Sequence, residues 1–574
     1  MSTDTGSTGA AVTRPEDVGL KREIGFIGAV WASESSIIGS GWLFGALYAA
    51  QAAGPAAIIA WVIGGVAVVI LGLIHAEIGA MYPVSGGTAR FPHFAFGAVA
   101  DTSFGFFSWL QAVTVAPIEC FAVMQYGQHW WGSIYNTDTS NVTGTGFAMC
   151  VILMIIFTAV NFLGIKLLAR TNSTIMWWKI AIPVLTIIVL LFKFHSGNFG
   201  SSAGSGGFMP TGIKGVLSAV VGAGVVFSYL GFEQADQLAG EIKDAQRNLP
   251  RAIITAVAIG TAIYILLQVV FIAAMDPSVL TFSHGWTGLT CPATGTCNPN
   301  VSTINSGPFA GLAGIIGLSW LAFILRIDAI VSPFGTGLIY QTSGSRVAYG
   351  LGRNRYFPPI LTRTDSRGVP WVSLILSFIG GLVFLLPFPS WHSLVGLVTG
   401  ASVLMYAGAP LSLGAFRGQV PDAVRPYRLG GAAFWAPIGF IIANFIIYWS
   451  GFEVIWKLGI VMVIGYIIIG ACMAFDSQRP KLDAKAWRAA SWLPVYLIGM
   501  GIISWLGQYS GQSSTTPLNP TNSNLIPLWW DLVIIAAFSI GIYYWAMATR
   551  LPRDEMLALV EAQSGVEDGP PPTL

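Results

Sequence analysis

Long apolar runs, separated by short polar or basic connections, recur along the whole chain. Runs able to cross about 30 Å of hydrocarbon lie near residues 24–52, 54–82, 98–130, 147–164, 173–193, 215–240 and 252–275. Seven more lie near 308–340, 371–388, 392–416, 433–450, 455–475, 489–508 and 527–548. The pattern predicts an all-α polytopic membrane protein with about fourteen spans. Composition points the same way: of 574 residues, 54% are hydrophobic and only 9% charged, where a soluble domain carries about 25%.

An even number of spans returns both termini to one face, and the basic residues indicate which. With the N-terminus cytoplasmic, twenty-four of the twenty-eight Lys and Arg residues fall in inner segments. Lys193, Lys214 and Lys457 fall on the outer side, and Arg326 lies within a span. This is the positive-inside signature of a multi-pass cell membrane protein with both termini cytoplasmic. A missed span would exchange every later loop, so the asymmetry also supports the count. The net charge of +2 therefore says nothing about partners, apart from the lipid bilayer itself. Residues 1–22, rich in Gly, Ser and Thr, read as a disordered cytoplasmic N-terminus, and 550–574 as a cytoplasmic C-terminal tail of the same kind. Cys120, Cys150 and Cys472 lie in spans as small packing residues. Cys291 and Cys297 (CPATGTC) share the longest outer loop, where a local disulfide and two free thiols are both open readings.

Two spans are poor helices. The stretch SESSIIGSGWLFG, Ser33–Gly45, interrupts the first, with Gly39 and Gly41 bracketing Ser40. Backbone that leaves the helix at bilayer depth survives only where it lines a protein-enclosed cavity. The halves are expected at Ile24–Ser36 and Trp42–Ala52, with free N–H groups at the start of the second half, a site for an anion. The alternative is a small-residue packing face. Five spans later, the stretch from Gly222 to Ile253 is interrupted again, at Ser228-Tyr229-Leu230-Gly231, followed by Glu233, Gln234, Asp236 and Gln237. Corresponding interruptions in spans of opposite direction predict two inverted five-helix repeats with a binding site between them.

The residues around these breaks resemble the amino acid–polyamine–organocation transporter superfamily, built on the leucine-transporter fold. The likeness is carried by Ile37-Ile38-Gly39-Ser40-Gly41-Trp42, Tyr82-Pro83-Val84-Ser85-Gly86-Gly87, Gly231-Phe232-Glu233 and Asn248-Leu249-Pro250-Arg251. Ser345-Arg346-Val347-Ala348-Tyr349-Gly350, Phe357-Pro358 and Arg425-Pro426-Tyr427-Arg428 extend it through span twelve; spans thirteen and fourteen exceed the usual twelve. Asp328 to Gly337 further resembles the subgroup that includes bacterial aspartate–proton symporters. The resemblance implies a ten-helix transport core at 23–416, with four additional helices at 417–549. It also implies that Ser36, Ile37, Gly39, Ser40 and Gly41 hold a substrate carboxylate. Phe227, Leu230 and neighbouring carbonyls at Gly231 would then hold the ammonium group, and Tyr229 or Phe232 would act as a gate or merely pack.

Ionisable groups at bilayer depth each cost roughly 2.5–3.5 kcal/mol or more and are functional candidates. Glu34, Glu233, Lys179 and Asp328 are assigned to proton coupling or gating. In the family, the lysine matching Lys179 stands where sodium-coupled relatives bind an ion; the alternative is that Lys179 reaches the headgroups. Arg326 and Asp328 point about 200° apart on a helix. Arg326 either holds a substrate side-chain carboxylate or pairs with Glu119 as structure.

The function this implies is secondary active, proton-coupled symport of an amino acid by alternating access, with aspartate or glutamate favoured. A cationic amino acid or polyamine exchanger is the alternative within the superfamily; a passive channel or amino acid receptor is the alternative outside it. No catalytic set, no Gly-x-x-x-x-Gly-Lys-[Ser/Thr] loop and no paired metal-ligand spacing is present, so neither an enzyme nor a cofactor is expected.

Overall fold

The structure is a computed structural model that describes residues 20–136, 141–200, 206–289, 298–355, 357–386, 390–474, 484–509 and 525–564. Among the described residues, every fold-forming element is helical apart from a hairpin of two-residue strands, Tyr135–Asn136 with Asn141–Val142. The helices are α1 (Phe26–Ile37), α2 (Gly41–Ala53), α3 (Ala57–Met81), α4 (Gly87–Phe96), α5 (Ala98–Gly127), α6 (Gly144–Phe162) and α7 (Ile165–Leu191). Next come α8 (Gly212–Gly222), α9 (Val225–Tyr229), α10 (Gln234–Gln237), α11 (Ala245–Ala274), α12 (Pro277–Phe282), α13 (Pro299–Ser306), α14 (Pro308–Ile315) and α15 (Ser319–Arg353). The last are α16 (Trp371–Leu385), α17 (Trp391–Gln419), α18 (Ala432–Trp449), α19 (Phe452–Ala474), α20 (Ala484–Ala489), α21 (Trp492–Leu506), α22 (Trp530–Thr549) and α23 (Arg553–Ser564).

Among the described residues, ten helical stretches are long and apolar enough to cross a membrane, the first of them joining α2 to α3, and three shorter apolar helices accompany them. Thirteen of the fourteen apolar runs in the sequence coincide with one of these elements or with a broken span; the eighth does not. Helix satisfies all backbone groups internally, which is what hydrocarbon demands. Within the bundle, α5 and α17 are almost wholly enclosed (89% and 94% of their apolar windows), whereas α19 and α22 expose most of theirs (22% and 28% enclosed). The first pair builds the centre and the second pair the periphery.

Three expectations change. The eighth span is not 308–340: α14 stops at Ile315, Gly317 takes a positive φ of 81°, and α15 runs from Ser319 to Arg353. Its polar second half stays helical because it is buried in protein. A ten-residue amphipathic helix, α4, fills the connection between α3 and α5 and is entirely buried. The tail after Arg550 is not featureless, since α23 spans Arg553–Ser564 with Met556 and Val560 buried. Residues 1–19, and with them most of the expected disordered N-terminus, lie outside the described residues.

The two broken spans lie antiparallel and are tied at both ends. At one end the N–H groups of Glu23 and Ile24 donate to the Glu241 carbonyl (3.0 and 2.9 Å), and Lys243 N–H donates to Ile24 O (2.8 Å). At the other end Thr211 Oγ1 donates to Ala52 O (2.7 Å) and Ala56 N–H to Phe208 O (2.9 Å). The chain thus has the opposed discontinuous first and sixth spans of the leucine-transporter architecture.

Candidate functional site

Between α1 and α2 the backbone leaves the helix at Ile38–Ser40. Ile38 N–H still bonds Glu34 O (2.8 Å), and Gly39 N–H turns back to Ile37 O (2.9 Å). A helix start leaves N–H groups without intrahelical acceptors and a positive dipole end. Here a side-chain carboxyl group of the protein already takes that place. Ser40 N–H and Ser40 Oγ donate to the two carboxylate oxygens of Glu119, both at 2.9 Å. Trp391 Nε1 in turn donates to Ser40 Oγ (2.7 Å). Glu119 comes from the buried middle of α5 and Trp391 from the first residue of α17, so three elements meet at one serine.

The second break is built on the same principle. Gly231, at φ +124° in a region that favours glycine, donates its N–H to Glu233 Oε2 (2.9 Å). Glu233 also accepts from Gln111 Nε2 (3.1 Å), Gln234 Nε2 (3.0 Å) and the Tyr406 hydroxyl. The interruption is wider than expected, because Gly224 adopts a left-handed conformation (φ 78°) and separates α8 from α9. Each break is therefore capped by a resident carboxylate.

The breaks touch. A Cβ at Gly41 would lie 2.5 Å from Ser228 Oγ and 2.8 Å from Ser228 Cα; one at Gly231 would lie 2.8 Å from Ile37 N. Beside this crossing is a small cavity of about 10 Å³, lined by Ser36, Ile37, Gly39, Gly41, Glu119, Phe227, Leu230 and Tyr340, with Val115. That is about the room one water needs, far below the roughly 300–1,000 Å³ of drug-sized sites, so the breaks are closed on each other in this conformation.

Lys179, fully buried on α7, bridges α1 and α15. Its ammonium donates to Ser35 O (2.6 Å), Ser35 Oγ (3.2 Å) and Thr336 Oγ1 (2.9 Å). Thr336 itself donates to Ser35 O (2.6 Å), so the last turn of α1 is held by two donors from neighbouring helices. The buried carboxyl groups of Glu119, Asp328 and Glu34 are close enough to interact with Lys179. Asp328 accepts from Ser332 Oγ (2.8 and 3.0 Å). Both oxygens of Glu34 are buried without a hydrogen-bond partner among the described residues.

Of the residues singled out in the sequence, Ser36, Ile37, Gly39, Gly41, Phe227 and Leu230 line this one cavity, and Ser40 and Gly231 sit at its two caps. Tyr229 does not: its hydroxyl donates to Trp61 O (3.0 Å) and its ring packs between Trp61 and Tyr264. Phe232 stacks on Tyr406 at 4.9 Å. Both pack away from the cavity; the aromatics that line it are Phe227, edge-on to Trp391 at 5.5 Å, and Tyr340. Arg326 is likewise absent from this cavity and does not pair with Glu119; it faces a separate recess toward the α13–α14 side. Lys179 points into the protein rather than toward headgroups. Cys291 and Cys297 lie outside the described residues. Sequence reasoning missed Trp391, Thr336 and Tyr340, and named Glu119 as a partner of Arg326 rather than of Ser40. Glu119 alone left a signal, a carboxylate stranded in an apolar run, which must find donors somewhere at that depth.

A family model described as amino acid permease matches residues 24–469. The glutamate/serine transporter AimA of Bacillus subtilis is 34% identical over 559 residues, covering 96% of this chain and 98% of its own. The aspartate-proton symporter of the same organism is 34% identical over 523 residues, covering 90% of this chain and 94% of its own. Among solved structures, an Eremococcus coleocola manganese transporter aligns over 96% of this chain and 99% of its own, at 12% identity and a TM-score of 0.47.

Proposed function

The chain belongs to the amino acid permease family, and from that premise we propose that it imports an acidic amino acid together with protons, by alternating access around the cavity between the two breaks. The observation that carries this reading is the contact of the breaks themselves. Two helices lose their hydrogen-bond ladder at one crossing, Gly41 against Ser228 and Gly231 against Ser36–Ile37. Donors at the start of α2 and carbonyls of Phe227 and Leu230 across the cavity suit the two ends of an amino acid zwitterion. The names of the two relatives at 34% identity support an acidic cargo and proton coupling.

In this reading Glu119 holds the place of the substrate carboxylate while the site is empty. Lys179, with Glu34 and Asp328 nearby, carries the coupling proton. A protonated ammonium fastens α1 to α15 through Ser35 and Thr336; a neutral amine is a weaker tie and frees α1 to swing. The face where Glu23, Glu241 and Arg346 meet is cytoplasmic, as the distribution of basic residues requires. It is closed here by Arg346, whose guanidinium donates to both oxygens of Glu241 (2.8 and 3.1 Å).

The test is uptake of a labelled amino acid panel into proteoliposomes under imposed pH or sodium gradients. Aspartate or glutamate should accumulate with an inward proton gradient and stop accumulating with a protonophore. Lys179→Met should retain exchange of internal for external substrate while losing the response to the pH gradient. Flux that only equilibrates would indicate a channel, and competition by arginine rather than aspartate would indicate the cationic exchanger. An unchanged pH response in Lys179→Met would dismiss the role given to that residue.

A further inference from the structure

Arg326 stands in a second cavity. Seven residues into α15, it shares with the end of α5 and with α13–α14 an open recess of about 260 Å³, just below the roughly 300–1,000 Å³ of drug-sized sites and enough for a molecule as small as an amino acid. The other side chains around it are polar but uncharged in character, among them Gln125, Gln128, Ser302, Thr303 and Ser306. No Asp or Glu is among the lining residues. His129, beside Arg326, adds no competing cation: partial burial, and then the guanidinium itself, hold the imidazole below its usual range. Among the described residues Arg326 makes no ion pair and no hydrogen bond. A half-buried guanidinium in a protein normally has a carboxylate to itself, because partial desolvation without a partner is unfavourable.

The recess is partitioned from the central cavity. Tyr126 donates its hydroxyl to Leu43 O (3.2 Å), and its ring lies edge-on to Phe44 at 5.3 Å. Phe44 packs on Trp391 at 4.9 Å, and Trp391 reaches Ser40. Gly307 allows this wall to close, since a Cβ there would sit 2.8 Å from the Tyr126 ring. Arg326 precedes Thr336, which lies at the depth of the first break, by ten residues, or about 15 Å along α15.

We propose that this recess is a separate first station for a dicarboxylic amino acid, with Arg326 taking its side-chain carboxylate in a bidentate pair before the Tyr126–Phe44–Trp391 wall opens. The proposal rests on the acidic-cargo reading above. It locates the selection for acidic over neutral amino acids outside the central cavity, where the cavity-lining side chains offer no cation.

The experiment uses the full chain in proteoliposomes and in detergent, comparing the wild type with Arg326→Gln and Arg326→Lys. Arg326→Gln should raise the KM for aspartate at least tenfold while leaving kcat, and the KM for serine if serine is carried, within twofold. Arg326→Lys should fall between, since charge is kept and the fork is lost. Equilibrium dialysis with labelled aspartate should count two sites in the wild type and one in Arg326→Gln, and high salt should weaken only the site that Arg326→Gln removes. The thermal melting of the variant should match the wild type, because Arg326 has no partner to lose. Aspartate uptake with an unchanged KM and site count in Arg326→Gln overturns the station and leaves the transport reading intact. Arg326-dependent aspartate binding without uptake supports the station and overturns the transport reading. Neither binding nor uptake of aspartate overturns both.

Discussion

Gly41 has no room for a methyl group. A Cβ would press on Ser228 Cα at 2.8 Å, and backbone cannot swing aside as a side-chain tip can. Overpacking of this kind costs roughly 1–3 kcal/mol, about five- to a hundredfold in rate when it falls on a state the transport cycle must visit. Gly41→Ala is therefore expected to lower aspartate uptake at least fivefold with the protein still folded. Gly459→Ala, on the peripheral α19 with nothing within 4 Å of the new Cβ, should stay within twofold. Equal uptake in the two variants would mean that the breaks do not need their contact. The clash is between the breaks rather than with the cargo, so even alanine suffices. At this scale the sequence was readable wherever the residue type was itself the anomaly, as with glycines and serines in an apolar run. It was unreadable where the meaning lay in a partner far along the chain. Glu119 meets Ser40 from 79 residues away and Trp391 meets it from 351, and no spacing rule connects them.

Between elements, the firmest polar tie joins α3 to the end of α17. The Glu77 carboxylate accepts from Arg417 (2.7 Å), from Arg425 (3.1 Å) and from Leu429 N–H (2.7 Å). Every lone pair it directs inward is used, and burial makes removal of one partner costly, about 3–5 kcal/mol for a broken buried pair. Glu77→Gln should lower the melting temperature in detergent by several degrees, at a few degrees per kcal/mol. Lys485→Gln, which breaks only the exposed pair with Glu555, should shift it by less than a degree, since such surface pairs contribute about 0–1 kcal/mol. A melting curve for Glu77→Gln that overlays the wild type would show the clamp to be incidental. Nothing in the sequence around Glu77 foretells either arginine, since both lie more than 300 residues away. The sequence located the elements themselves better, since hydrophobic length alone fixes them. The error in the eighth span has a clear cause: Gly311, Gly314 and Gly317 sit in an apolar stretch that reads as one run, while the polar second half of α15 reads as loop. Only the packing of neighbouring helices, invisible in one dimension, makes that half a buried helix.

Across the whole molecule, both described chain ends lie on the face where the basic residues gather, and α4 links them. On one side α4 follows Gly86, whose N–H donates to Gln237 O beside the entry of α1. On the other side it meets the C-terminal segment: Leu551 N–H donates to Ala95 O (3.1 Å), and Gln419 Nε2 donates to both Ala95 O (3.0 Å) and Leu551 O (2.8 Å). Helix α23 then covers α4 with Met556 and Val560. Fully burying such side chains is worth roughly 1.5–3 kcal/mol each, so residues 550–564 act as a strap under the bundle rather than a tail. Truncation after Thr549 removes the strap, exposes the underside of α4 and leaves Gln419 with one of its two acceptors. Truncation after Ser564 removes none of these contacts. The shorter chain should melt several degrees below the longer one while still concentrating substrate at low temperature, because none of the residues lining the central cavity belongs to α4 or α23. Coincident melting of the two truncations would show that α23 merely rests against the bundle. Loss of uptake in the shorter chain at full stability would instead make the strap part of the moving machinery.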